Sequence, residues 1–201
     1  MPLSTPAPRR HFHTRAIEAQ GFRREDGLWD VEAHICDTKA YDYEEFYRGM
    51  MPAGRPVHAM SIRLTFGDDM IVKEVEAVSD AAPYTPCQDV TPRFQQLVGL
   101  RIGGGWRMQT RQRLGGTKGC THMVELLDVI ATVAFQTITS GPEPEKRTRD
   151  TIWRVAGDKP PYYLDGCHSW SRSGEVVRTQ LPQFFIPPEP EPEPKPDPKN
   201  D

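Results

Sequence analysis

The sequence predicts an α+β fold in one domain, an antiparallel sheet packed against a long buried helix. Three stretches carry that expectation: a clean alternation at Leu28–Asp37, an alternating run that turns back on itself over 57–78, and an apolar helical run at Thr121–Thr139.

In Leu28–Asp37, Trp29, Val31, Ala33 and Ile35 point one way, with Asp30, Glu32, His34 and Cys36 opposite, the period of a half-buried strand. From His58 to Phe66 the alternation returns, with His58, Met60, Ile62, Leu64 and Phe66 on one face. Gly67-Asp68-Asp69 supplies a turn and Met70–Val78 the return strand, so 57–78 reads as a hairpin. After Asp80 the pattern changes. Pro83 and Pro86 bracket Tyr84, Thr91-Pro92 opens a short helix to Val98, and Trp106–Leu114 is a second helix stopped by Gly115-Gly116. Thr121–Thr139 carries Met123, Leu126, Val129, Ile130, Val133, Phe135 and Ile138 around most of its circumference, which predicts a helix at the centre of the domain. A final segment to Phe185 adds a short helix or edge strand.

The termini stand apart from this body. Three of the 20 prolines lie in the first ten residues and seven in the last fifteen. Residues 1–10 and the Pro/Glu-rich tail 187–201 are expected to be disordered, with one globular domain over 11–186. The tail carries five acidic and two basic residues, so it holds the whole net charge of −3 and leaves a formally neutral body. A neutral body offers no electrostatic footprint for nucleic acid. No apolar run approaches the length of a membrane span, and no apolar segment follows Arg9-Arg10 as in a secretory signal. The expected setting is the cytoplasm, with Cys36, Cys87, Cys120 and Cys167 as reduced thiols. A chain this short is expected to form a homo-oligomer.

Candidate chemistry gathers where polar groups interrupt apolar surfaces. His122 and Glu125 are three residues apart and share a helical face, with Thr132, Gln136 and Thr139 continuing the stripe. Such a stripe is either a satisfied internal network or a pocket wall bearing an acid or base, and a carboxylate beside a histidine raises its basicity. His58 shares a strand face with Met60 and Ile62, as a core histidine or at a pocket border. Asp37, Lys39, Tyr41 and Tyr43 crowd the end of the first strand, and Tyr84 offers a phenol on a stiff backbone. The loop Gly115–His122 has glycines, Lys118 and a helix start, but not the Walker spacing, because Lys118 precedes Gly119. That helix start could bind an oxyanion or lower the Cys120 pKa. Cys87, Cys120, His122 and Cys167 could in principle hold zinc or a cluster, although none has metal-motif spacing.

The segments His13-Thr14-Arg15, Gly21–Asp30, Asp37-Thr38-Lys39, Ala82–Cys87 and the motif Gly115-Gly116-Thr117-Lys118-Gly119-Cys120-Thr121-His122, followed by Glu125-Leu126-Leu127, resemble a bacterial family catalogued as a domain of unknown function. Gly166-Cys167-His168 fits its C-terminal end, and the resemblance spans roughly residues 11–185. The chain is also similar to enzymes of bacterial lignin-dimer catabolism that release formaldehyde from phenylcoumaran-type aromatic alcohols to give stilbenes. That resemblance implies a carbon–carbon lyase needing no cofactor or metal, acting on a small aromatic substrate. A base must take the alcohol proton and an acid must serve the phenoxide that leaves. His122 with Glu125 is the expected base, and Tyr84 or His58 the acid. Trp29, Met60, Trp106 and Phe135 are expected to wall an aromatic slot, with Lys39, Tyr41 and Cys120 also meeting substrate. The alternatives are a metal or iron–sulfur module built on the Cys/His set and a non-catalytic protein that binds aromatic ligands.

Overall fold

The alternating residues of the second strand form the middle of the sheet. In the computed structural model, which describes residues 3–139, 160–161 and 163–188, β2 (Trp29–Lys39) lies between β1 (His13–Arg23) and β5 (Pro56–Phe66), and β6 (Val72–Ala81) pairs with β5. The four-stranded sheet has the order β1-β2-β5-β6 and is antiparallel throughout. The fold class is α+β. Register sets Val31 opposite Leu64, Ala33 opposite Ile62 and Ile35 opposite Met60. These side chains form one continuous buried face. A small hairpin, β3 (Tyr43–Glu45) and β4 (Gly49–Met51), fills the link between β2 and β5.

Strand β1 is the element that alternation did not reveal. It is an edge strand whose residues are exposed apart from Ile17 and Ala19, so no apolar period marks it. The turn into β2 closes through Arg24 N donating to the Leu28 carbonyl at 2.9 Å, with Gly27 at φ 86°. That left-handed backbone is the reason a glycine stands there.

One helix covers the sheet's apolar face and a second packs on that helix. Helix α1 (Trp106–Leu114) buries Trp106, whose indole donates to the Leu127 carbonyl at 2.9 Å. Helix α2 (Thr121–Thr139) buries Met123, Leu126, Leu127, Ile130, Ala134 and Ile138 against β1, β2 and β5. The expectation of a helix buried on nearly all sides is corrected by this stripe. Val124, Val129, Ala131, Val133 and Phe135 are only half-buried, because a single sheet offers a helix one face to pack on. The polar residues Thr132 and Thr139 are satisfied within the helix, donating to the Asp128 and Phe135 carbonyls at 3.3 and 2.9 Å. By length and composition alone α2 could cross a membrane, and its apolar stripe is accounted for by the sheet. The helix predicted over Pro92–Val98 is a 3-10 segment, Thr91–Leu97, that buries Phe94 and Leu97.

By its internal contacts the chain divides into two compact units, Met1–Thr148 and Arg149–Asp201. Within the second unit Tyr163 and Trp170 meet edge-to-face at 4.7 Å, and a short helix α3 (Glu175–Gln180) buries Val177. Residues 3–10 are exposed and form no regular element. The charged loop 142–150 and residues 189–201 of the Pro/Glu tail lie outside the described residues.

Candidate functional site

The buried face of β2 should end in another apolar residue after Trp29, Val31, Ala33 and Ile35, and instead ends in Asp37. Its side chain is 1% exposed. A carboxylate stripped of water needs charged or hydrogen-bonding partners to remain ionised, and register supplies them on both sides. Arg15 of β1 stands opposite Asp37, and so does His58 of β5, giving a three-residue row across three strands. The Arg15 guanidinium clamps the carboxylate in a fork, Nε to Oδ1 at 2.8 Å and Nη2 to Oδ2 at 2.9 Å. His58 Nδ1 lies 2.9 Å from Oδ2. His13 Nε2 approaches Oδ1 to 3.4 Å.

The first turn of α2 adds His122 from above the row. Its Nε2 is 3.9 Å from Asp37 Oδ2, and its ring lies 3.9 Å from that of His58, tilted by 31°. Cys120, just before the helix, puts Sγ 3.7 Å from His122 Nδ1 and 3.8 Å from Met60 Sδ. Glu125, expected to pair with His122, accepts instead from Arg15 Nη1 at 2.6 Å. The carboxylate that serves the histidines is therefore Asp37, while Glu125 offsets the charge of Arg15.

Electrostatics follow from this packing. The Arg15 hydrogen bonds hold Asp37 down to about 2 against the opposing effect of burial. Burial lowers the His58 pKa, helped by the neighbouring His122 and opposed by Asp37. Burial also lowers His122, helped by Arg15 and opposed by Asp37 and Glu125. The site thus pairs an ionised carboxylate with two imidazoles that favour their neutral form.

The other expected site residues fall into three places. Trp29, Met60 and Trp106 are core residues, and the Trp29 indole donates to Asp68 at 2.8 Å. Lys39 and Tyr41 stand just beyond Asp37, where the Lys39 ammonium lies over the Tyr43 ring at 3.6 Å and Phe12 meets Tyr41 edge-on at 5.7 Å. Tyr43 donates to Glu45 at 2.6 Å and its hydroxyl is pushed up to about 12 by burial. Tyr84 is 57% exposed and its ring meets Tyr47 at 5.9 Å. Phe135 is half-buried on α2.

Among the described residues the group with metal-ligand proximity is Asp37, His58 and His122, whose donor atoms lie within 4.8 Å of one another. Cys87 and Cys167 are not part of it. A cavity of about 540 Å³ opens between α1 and α2, lined by Leu114, Gly115, Gly116, Thr121, Val124 and Glu125 among others. The residues that sequence reasoning left outside its site were Arg15 and the central role of Asp37. One signal was available: Asp37 has the parity of a core position on β2.

A family model described as "Protein of unknown function (DUF2889)" matches residues 13–136, a span that holds Arg15, Asp37, His58, Cys120, His122 and Glu125. No curated protein and no solved structure matches the chain.

Proposed function

The chain belongs to that family of unknown function, and from this premise we propose that it is a carbon–carbon lyase releasing formaldehyde from a lignin-derived phenylcoumaran-type alcohol. The observation that carries the reading is the buried Asp37 carboxylate facing two stacked imidazoles that favour neutrality. Such a group transfers protons near neutral pH without a cofactor. With Nδ1 turned to Asp37, His58 keeps Nε2 free as the base, and Asp37 fixes that orientation. His122 takes the role of relay.

The reaction needs no external oxidant. His58 takes the proton of the substrate's hydroxymethyl group, and the bond to that carbon breaks to give formaldehyde. The released electron pair forms the stilbene double bond as the ring C–O bond opens, and the phenoxide recovers a proton by way of His122. The cavity between α1 and α2 is within the roughly 300–1,000 Å³ typical of small-ligand sites; its wall includes Glu125, tied to Asp37 through Arg15, but neither His58 nor His122. Assignment to the cytoplasm and to a homo-oligomer belongs to the same proposal.

The test is incubation with a panel of lignin dimers followed by a formaldehyde assay. The wild-type chain is expected to release formaldehyde and a stilbene from the phenylcoumaran. Folded His58→Ala and His122→Ala variants are expected to lose about 10²–10⁴-fold of that rate. Near-normal turnover in both variants would sink the assignment. Binding of the dimer without turnover by the wild type would favour an accessory aromatic-binding protein.

A further inference from the structure

We propose that Asp37, His58 and His122 also form a binding site for a divalent transition-metal ion of the zinc type. The three residues come from separate elements, β2, β5 and α2, yet the fold brings one donor atom from each to a common point. His58 Nδ1 and His122 Nε2 both face Asp37 Oδ2, at 2.9 and 3.9 Å. Ligands about 2.0–2.1 Å from a tetrahedral ion stand roughly 3.3 Å apart, so these separations bracket what the ion requires.

The surroundings suit it as well. Two imidazoles and one carboxylate are a donor set for zinc, cobalt, nickel or ferrous iron. Arg15 grips both Asp37 oxygens, as outer partners of a ligating carboxylate do, and Glu125 offsets its charge. Asp37, Glu125 and Arg15 together carry a net single negative charge. Binding of the ion requires His58 to carry its proton on Nε2 and His122 on Nδ1, so that His58 Nδ1 and His122 Nε2 each turn a lone pair to the ion beside Asp37 Oδ2. Three protein ligands leave the fourth position open to water. The ion occupies the same site as the proton transfer, so zinc is expected to inhibit formaldehyde release, a consequence that rests on the lyase reading.

The test uses the full chain stripped with a chelator and titrated with Co²⁺ in the absence of substrate. One equivalent is expected to bind, with visible ligand-field bands and no thiolate-to-cobalt charge transfer. His58→Gln and His122→Gln, checked for folding by circular dichroism, are each expected to weaken binding at least tenfold. A Cys87→Ser, Cys120→Ser, Cys167→Ser variant is expected to keep it. X-ray absorption of the zinc-loaded wild type gives an answer that depends on no variant: two imidazoles and light-atom ligands are expected. No saturable uptake, uptake unchanged in both histidine variants, or a shell dominated by sulfur overturns the proposal. A chain that binds Co²⁺ but never yields formaldehyde fails the lyase reading alone. One that yields formaldehyde and binds no Co²⁺ fails this one alone.

Discussion

Asp37 illustrates how a single side chain fixes the behaviour of its surroundings with pH. Its folded pKa, about 2 against an ordinary 3.8, means the folded state prefers the ionised form. That preference contributes about 2 kcal/mol of stability. The contribution is fully present above pH 3.8 and is lost as the pH falls towards 2. His58 and His122 act in a higher window. Their folded pKa values lie below the ordinary 6.5, so the unfolded chain takes up protons first and stability falls as the pH drops below 6.5. The groups facing them are Asp37, Arg15, Cys120 and Glu125, with His13 at the far carboxylate oxygen. Urea denaturation across pH 4–8 is expected to show this decline, and His122→Ala to flatten it. An equally steep decline in the variant would assign the effect elsewhere.

At the scale of elements, β1 and α2 approach each other closely at Gly21. A Cβ built at Gly21 falls 1.7 Å from Thr137 Oγ1. Gly21→Ala is therefore expected to cost about 1–3 kcal/mol by overpacking. Gly104→Ala, where nothing lies within 4 Å of the added atom, is expected to stay within about 0.5 kcal/mol. Denaturation midpoints compare the two directly.

These elements also explain what was legible beforehand. β2 and the β5–β6 hairpin could be read because each buries one face and exposes the other, which writes an alternation into the sequence. β1 could not, since an edge strand with both faces largely exposed writes none. His58 and His122 were recognisable as polar residues on apolar surfaces. The partner of His122 was not, because helical spacing pointed to Glu125 three residues along, whereas Asp37 and Arg15 approach through strand register. Trp29 and Trp106, expected as pocket walls, are buried core residues, and an aromatic residue reads the same in sequence whether it faces a cavity or the core.

For the molecule as a whole, the division into two compact units predicts thermal unfolding in more than one step. Leu126 is fully buried beneath α2, and Leu126→Ala is expected to destabilise its unit by about 2–5 kcal/mol. In calorimetry the substitution is expected to lower one transition and leave the other near its original temperature. A single transition that moves as one would show the units to be cooperative.

The row Arg15, Asp37 and His58 runs across the strands rather than along any of them. Side chains on a strand alternate between faces, so sliding β1 by one position against β2 would send Arg15 to the opposite side of the sheet. The turn at Arg24–Leu28 sets that alignment. Adding a single residue there could leave every strand paired and still leave Asp37 without its guanidinium. The loop's length acts as a gauge for the side-chain row at the far end of β1, where His13 stands opposite Lys39.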